Sequence, residues 1–158
     1  MITYAERRQR FNFRVAGIAI REGRVLLHTA PGDDFWTLPG GRAEMLEFTP
    51  DTLRREMAEE IGVAAQQGHL VWIVENFFRY AGQECHEICF YYAMSLPQDA
   101  ARQDEFLGTE GAMPPHYRWT PLAELHRLHI EPSFLREGLR NLPAQIVHLC
   151  LDQRGGAG

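Results

Sequence analysis

The sequence contains no lysine, and all sixteen of its basic residues are arginines. This absence excludes Schiff-base catalysis by a lysine amine, and it excludes a phosphate-binding loop of the P-loop type, which requires one. A basic side chain that contacts phosphate in this protein must therefore use a guanidinium group, which is a planar fork of five donors.

Long apolar segments and basic clusters are also missing. The longest apolar runs, at 71–74 and 88–94, are far shorter than the roughly 20 residues that cross a bilayer. The arginines near the N-terminus precede no apolar stretch, so we expect no signal peptide, no membrane partner and a cytoplasmic protein. The formal net charge of −5, without a basic block, argues against duplex nucleic acid as a partner.

Cysteine is scarce, and its spacing suggests no structural role for a disulfide or zinc. Cys85, Cys89 and Cys150 form no C-x-x-C pair, which disfavours a disulfide framework or a zinc knuckle. We expect Cys85 and Cys89 to be small core residues of a strand. The seven histidines are scattered, and His126 and His129 have no cysteine or carboxylate at metal-binding spacing.

The apolar pattern predicts one α/β domain. With 158 residues, 45% hydrophobic and 23% charged, the chain has the size and composition of a single soluble domain. We expect its core over 11–142, an edge strand within 143–151 and a flexible tail at 152–158. The predicted strands are 11–20, 24–29, 69–78, 86–94, 118–120 and 146–151, and the predicted helices are 50–61, 121–128 and 132–142, with a loop over 99–115.

The first helix carries an unusual charge pattern. Its start is indicated by Thr49 as N-cap with proline at the first helical position, but its C-terminal half holds Glu56, Glu59 and Glu60. Acidic side chains near the C-terminus of a helix destabilise it, because that end of the helix dipole is negative. Each pair of like charges one turn apart costs roughly a further 0.2–0.5 kcal/mol. A charge pattern that destabilises its own helix indicates that the acids are there for function. Clustered carboxylates are suitable ligands for Mg²⁺ or Mn²⁺. A solvated acidic face is the alternative.

The residues around this helix carry a longer pattern. From Gly41 the chain runs Gly41-x5-Glu47-x7-Arg55-Glu56-Met57-x-Glu59-Glu60-x-Gly62-Val63. This run resembles, at every signature position, the box of the Nudix hydrolase family. The approach at 36–41, an acid at Glu44 and the stretch 118–122 also resemble the family, whereas Leu46 stands where glycine is common. The resemblance spans 11–142.

The resemblance implies an αβα sandwich around a mixed β-sheet, and divalent-metal-dependent cleavage of a pyrophosphate link in a nucleoside diphosphate derivative. It implies that Glu56 and Glu60 bind the metal, that Glu59 is a further ligand or orients water, and that the carbonyl of Gly41 approaches the metal. Glu47 would support the site through Arg55. A further metal-binding acid would come from Glu110, Glu87 or Glu105.

The expected partner is a small nucleotide: a nucleoside triphosphate, a dinucleoside polyphosphate or a nucleotide sugar. Tyr80 lies seventeen residues past Val63, as a tyrosine does in diadenosine-polyphosphate hydrolases. The candidate substrate contacts are Arg14, Trp36, Arg42, Glu44, Tyr80 and Glu87.

Two other functions on this fold are conceivable. A catalytically silent sensor or protein-binding module usually lacks box acids, which this chain keeps. Isopentenyl-diphosphate isomerase needs a cysteine before the box, whereas the first cysteine here is Cys85. A homodimer is compatible with the family.

Overall fold

The computed structural model describes residues 1–155, which form nine β-strands, two α-helices and one 3₁₀ helix. The α/β fold with a mixed sheet that the sequence predicts is confirmed. Few helices lie between the strands in chain order. The strands are β1 Thr3–Glu6, β2 Gln9–Arg21, β3 Arg24–Thr29, β4 Gly40–Arg42, β5 Gln66–Tyr80, β6 Gln83–Ser95, β7 Glu105–Leu107, β8 His116–Pro121 and β9 Val147–Asp152. The helices are α1 Thr49–Ile61, the 3₁₀ helix Leu122–Arg127 and α2 Leu135–Gly138.

Strand β2 links the two halves of the sheet. The strand order is β7-β8-β3-β2-β6-β5-β9, and β1 and β4 also pair with β2. Pairs β2–β6 and β5–β9 are parallel, whereas the other neighbours are antiparallel. At its C-terminal end β2 pairs with β3 through Ile20 and Arg21. Because β2 also pairs with β4, Gly40 and Gly41, which precede α1, are held at the centre of the sheet by strand pairing.

The alternation of side chains along β2 separates two apolar cores. Ala16 and Ile18 belong to one core, which α2 and the 3₁₀ helix cover, and Val15 and Ala19 belong to the other. Helix α1 packs into the second core through two fully buried residues, Leu53 and Met57. The sheet therefore lies between helical layers, and α1 is held against it by its apolar stripe.

The ends of α1 agree only in part with the prediction. The N-cap is Phe48, so the prediction that Thr49 caps the helix is wrong. Thr49 is the first helical residue, and its hydroxyl lies 2.6 Å from the hydroxyl of Tyr92, which makes it a tertiary contact instead of a cap. Gly62 ends the helix as predicted, with a left-handed backbone at φ 66°.

Short elements account for the remaining differences. The predicted loop 99–115 contains β7, and β1 and β4 are further strands that the apolar pattern does not indicate. The predicted helix 121–128 is a 3₁₀ helix, and the predicted helix 132–142 contains only the four-residue α2. In that segment the buried residues Leu135 and Leu139 anchor a series of turns, and their helical spacing alone does not sustain a helix.

The C-terminal segment pairs with the sheet. Strand β9 runs parallel to β5 at the edge, close to the predicted bounds. The predicted tail begins too early, since Asp152 belongs to β9 and the N–H of Gln153 donates to the carbonyl of Phe77 at 2.7 Å. Residues 156–158 of that tail lie outside the described residues. Within residues 1–155, no helix has the length and apolar character needed to span a membrane.

Candidate active site

The three glutamates near the end of α1 differ in exposure. The side chain of Glu56 is 13% exposed, that of Glu59 is 46% exposed, and Glu60 is half-buried. The helix therefore turns Glu56 and Glu60, one turn apart, toward the protein and leaves Glu59 open to solvent.

Gly41 on β4 borders the carboxylate of Glu56. A Cβ atom at this position would overlap both carboxylate oxygens of Glu56. The absence of a side chain therefore lets the backbone of β4 and the acid of α1 share the same space. The register of β4 with β2, which pairs Gly41 with Val15, holds this backbone in place.

One guanidinium organises the acids around Gly41. The Nε atom of Arg55 donates to Oε1 of Glu47 at 2.8 Å, and Nη2 donates to Oε2 of Glu47 at 3.1 Å. Its Nη1 atom donates to Glu56 Oε1 at 2.9 Å and to Glu59 Oε2 at 3.0 Å. Nη2 also donates to the carbonyl of Arg42 at 3.0 Å. The predicted pairing of Arg55 with Glu47 is present, and Arg55 also fixes two of the helix glutamates.

Burial gives the acids different proton affinities. Burial raises the pKa of Glu60 to about 7, although the hydroxyl of Tyr117, which donates to Glu60 Oε2 at 2.7 Å, opposes the rise. Burial also raises the pKa of Glu56, with Arg55 opposing. The hydrogen bonds from Arg55 instead hold the pKa of Glu47 at about 2. A nearby cation would therefore offset the cost of ionising Glu56 and Glu60 more than that of ionising Glu47.

These donors fit a hard divalent cation. Glu56 and Glu60 offer carboxylate oxygens, and β4 brings the backbone at Gly41 against Glu56. Oxygen ligands are those that Mg²⁺ and Mn²⁺ prefer. Tyr117 was not predicted for this site, since it lies outside both the box and the predicted strand at 118–120. It directly precedes the stretch 118–122 that resembles the family, but nothing in that stretch indicates a contact with Glu60.

The loop before β8 is fixed to the end of α1. The N–H of Thr109 donates to the carbonyl of Glu60 at 2.7 Å, and its hydroxyl donates to the same oxygen at 3.1 Å. Glu110 follows directly, and its charge contributes to the raised pKa of Glu60. Glu105 instead lies on β7, with its carboxylate 3.3 Å from His116. The loop therefore brings Glu110 close to the helix glutamates.

Arg14 lies between the glutamates of α1 and an acid of β6. Its Nη2 atom donates to the carbonyl of Leu38 at 2.8 Å, which fixes its direction. Burial would lower the pKa of Arg14, but the surrounding acidic groups, of which Glu87 has the largest effect, outweigh it and raise the pKa. Burial raises the pKa of Glu87, while Arg14 and Arg42 oppose. Glu87 therefore lies close enough to both arginines for their charges to act on it.

The predicted aromatic residues have different environments. The guanidinium of Arg118 lies 4.4 Å from the ring centre of Trp36, so one face of that ring is covered. Tyr80 is 40% exposed and donates a hydrogen bond to Asp33 at 3.0 Å. Burial raises the pKa of Tyr80, and Asp33 raises it further. The ring of Phe35 lies 6.1 Å from that of Tyr80, which makes this pair an aromatic surface.

The loop before α1 positions Glu47. Leu46 has a left-handed backbone with φ 65° and is fully exposed, so the backbone takes the conformation that glycine would favour. The N–H of Glu44 donates to Glu47 Oε2 at 3.0 Å, while the carboxylate of Glu44 pairs with the N-terminal amine of Met1. Glu44 therefore contributes to the site through its backbone in this structure.

Solved structures share the fold across most of the chain. An ADP-ribose pyrophosphatase from Streptococcus suis 89-1591 has 13% identity and a TM-score of 0.61, with 88% of this chain and 98% of that chain covered. A MutT protein from Bacillus halodurans has 16% identity and a TM-score of 0.64, with 91% of each chain covered. A NUDIX hydrolase from Nitrosomonas europaea has 18% identity and a TM-score of 0.63, with 89% and 78% covered.

The sequence comparisons differ in what they find. No curated protein sequence matches the chain significantly. The NUDIX domain family, in contrast, matches residues 11–142, which is most of the chain and includes α1 with its acids. The resemblance predicted from the residues around Gly41 and Glu56 is thereby confirmed, and the chain belongs to the NUDIX domain family as a Nudix hydrolase.

Proposed function

We propose that this Nudix hydrolase is a metal-dependent pyrophosphohydrolase that cleaves a diphosphate linkage in a nucleoside diphosphate derivative. The substrate classes are a nucleoside triphosphate, a dinucleoside polyphosphate and a nucleotide sugar. The observation that carries the proposal is the contact of Glu56 with the backbone at Gly41, with Glu60 one turn away. The name of the Streptococcus suis neighbour, an ADP-ribose pyrophosphatase, is consistent with this class of reaction.

The metal would be held by Glu56 and Glu60, with Glu59 and Glu110 as further oxygen donors. When bound, Mg²⁺ or Mn²⁺ supplies charge neutralisation at the diphosphate and lowers the pKa of water. Arg55 keeps the carboxylates of Glu56 and Glu59 in a fixed orientation. The carboxylate of Glu59, which is exposed, would orient the attacking water or accept its proton.

The substrate phosphates would be bound by arginine, since the chain has no lysine. Arg14 is the leading candidate, because it is held by the carbonyl of Leu38 and lies within the electrostatic range of Glu56 and Glu60. Arg42 would assist, with Glu87 balancing the charge of both arginines before a polyanion binds. A guanidinium can bind two phosphate oxygens at once, which favours a fixed orientation of the diphosphate.

The base would stack against the aromatic surface formed by Tyr80, which is exposed, and Phe35, which is partly buried. These rings are linked to each other and to Asp33, so they form a supported surface at the end of β5. Trp36 would contribute only an edge, because Arg118 covers one of its faces. Every base offers a π-face, so this surface alone favours no particular base.

The test is a panel of nucleotides assayed for phosphate-bearing products with Mg²⁺ or Mn²⁺ and with a chelator. The panel contains nucleoside triphosphates, dinucleoside polyphosphates, sugar nucleotides and dinucleotide cofactors. We expect metal-dependent turnover that Glu60→Gln lowers about 100-fold or more, with the fold retained in circular dichroism. The exposed Glu137→Gln on α2 is the matched control and should keep the activity.

Two results would contradict the proposal. Absence of metal-dependent turnover across the panel would contradict the proposed pyrophosphohydrolase activity. Nucleotide binding without turnover would favour the catalytically silent sensor. Equal activity of Glu60→Gln and Glu137→Gln would show that catalysis does not depend on Glu60 and that the active site lies elsewhere in the protein.

A further inference from the structure

A second group of metal-binding side chains lies at the edge of the sheet formed by β5 and β9. It consists of Glu75, His148 and Cys150, whose ligand atoms all lie within 4.8 Å of one another. Nε2 of His148 is 2.9 Å from Oε1 of Glu75 and 3.7 Å from Sγ of Cys150. We refer to these three residues as the edge cluster.

Strand pairing places the edge cluster on one face. Glu75 and Cys150 are directly paired across the parallel ladder of β5 and β9, and His148 pairs with Ile73. His148 and Cys150 are two residues apart, so their side chains share a face, whereas Leu149 between them packs against the core. The three donors are thus carried by a hydrogen-bonded backbone, which limits how far they separate.

The geometry suits a metal better than a catalytic relay. In a relay, the thiol and the carboxylate contact different nitrogens of the imidazole. Here Nε2 of His148 faces both Cys150 and Glu75, so all three donors converge on one point. Ligands of a tetrahedral Zn²⁺ are about 3.4 Å apart, given bond lengths of about 2.0–2.3 Å. The observed separations lie on both sides of that value.

The donor set also differs from the one on α1. A thiolate and an imidazole select Zn²⁺ and similar ions, whereas an all-oxygen site selects Mg²⁺ or Mn²⁺. The side chains of Glu75 and His148 are 42% and 56% exposed, so an ion can enter and solvent can complete its coordination. In the strand order, β9 is three places from β2, the strand that carries Arg14.

We propose that the edge cluster is a second metal site that binds Zn²⁺, or another borderline-soft divalent ion, through Glu75, His148 and Cys150. Solvent supplies the fourth ligand. The bound ion links β9 to β5, so it stabilises the C-terminal strand against separation from the sheet. Sequence spacing does not reveal this site, because Glu75 lies far along the chain from the other two ligands.

The test is a titration of the full chain with Co²⁺, followed by its absorption. Only a thiolate ligand gives a sulfur-to-cobalt charge-transfer band in the near ultraviolet, and α1 offers oxygen ligands alone. Cys85 and Cys89 are buried, with 3% and 1% exposure, so Cys150 is the cysteine in contact with solvent. Glu56→Gln in the same chain weakens the α1 site and removes its share of the cobalt.

We expect one equivalent of Co²⁺ to give the band, and we expect Zn²⁺ but not Mg²⁺ to displace it. Cys150→Ser should abolish the band, and His148→Gln or Glu75→Gln should weaken binding about tenfold or more. The exposed His126→Gln is the matched control and should bind normally. In the Glu56→Gln chain, Zn²⁺ should also raise the Tm, and adding Cys150→Ser should remove that rise.

The proposal is overturned if no charge-transfer band appears at millimolar Co²⁺, or if the band persists in Cys150→Ser. It is also overturned if His148→Gln and His126→Gln bind cobalt equally well. The pyrophosphohydrolase proposal does not depend on this outcome, because Cys150 lies outside the residues assigned to hydrolysis.

Discussion

Arg55 binds Glu47 through two parallel hydrogen bonds, from Nε to Oε1 at 2.8 Å and from Nη2 to Oε2 at 3.1 Å. The same guanidinium reaches Glu56 and Glu59, so one side chain sets the orientation of three acids. Such a fork-to-fork pair fixes direction as well as distance. Arg55 is therefore a positioning residue for the helix glutamates.

We predict that Arg55→Lys lowers kcat about 10-fold to 100-fold, because a single ammonium cannot hold Glu47, Glu56 and Glu59 together. The measurement is metal-dependent turnover on the best nucleotide of the panel. The neighbouring Arg54→Lys is the control, since Arg54 is 51% exposed and pairs with Asp51. Full activity of Arg55→Lys would show that the acids keep their orientation without the fork.

The hydrogen bond from Tyr117 to Glu60 leads to a second prediction. Because this bond lowers the pKa of Glu60, Tyr117→Phe should raise that pKa further and let protons compete with the metal at higher pH. We expect metal binding near neutral pH to weaken about tenfold and its pH midpoint to increase. Titration with Mn²⁺ at several pH values measures both.

Tyr92→Phe is the matched control for Tyr117→Phe. It removes the hydroxyl that contacts Thr49 at the start of α1, away from Glu60. It should leave the pH midpoint of metal binding unchanged. An equal shift in the two variants would mean that the effect comes from packing of α1 and not from the hydrogen bond to Glu60.

The long elements could be predicted because their signals are local. Strands β2, β5 and β6 have 13 or more residues, and their apolar content spans enough positions to be recognised. Helix α1 has a proline near its start and Gly62 at its end, which are both backbone signals. Elements that depend on a partner could not be predicted in this way. Strand β4 has three residues and exists through its pairing with β2.

The candidate site was predictable where its residues share a short segment. Glu47, Arg55 and the helix glutamates lie within one loop and one helix, so their spacing carries the information. Tyr117 and Thr109 reach Glu60 from distant parts of the chain. Their contribution depends on tertiary packing, and a tyrosine or threonine outside the segment gives no local signal.

The backbone at Leu46 permits a test of strain. A φ of 65° is costly for leucine, and its side chain is fully exposed, so it recovers little by packing. We predict that Leu46→Gly raises the free energy of unfolding by about 0.5–1 kcal/mol, measured by urea denaturation. Met45→Gly is the control: Met45 is exposed with ordinary backbone, and glycine there should destabilise the protein. A loss of stability in Leu46→Gly would show that the leucine has a stabilising role.

His28 is a buried titratable group outside the acid cluster. Its ring lies 5.2 Å from that of Tyr117, and among residues 1–155 its Nδ1 atom finds no hydrogen-bond partner. Burial lowers the pKa of His28 to about 3, and the charge of Arg14 adds to the effect. The unfolded chain, with an ordinary histidine pKa near 6.5, therefore binds a proton that the folded protein excludes.

This difference predicts that acid destabilises the protein as the pH falls from about 6.5 toward about 3, because the unfolded state takes up the proton first. His28→Phe replaces the imidazole with an aromatic ring that cannot take up a proton, so the variant should lose less stability over this range. Between pH 7 and pH 5 we expect the unmodified chain to lose about 2 kcal/mol more than the variant, measured as free energies of urea unfolding. The exposed His69→Gln should follow the unmodified chain. Parallel pH curves for His28→Phe and the unmodified chain would show that His28 takes up its proton equally in the folded and unfolded states.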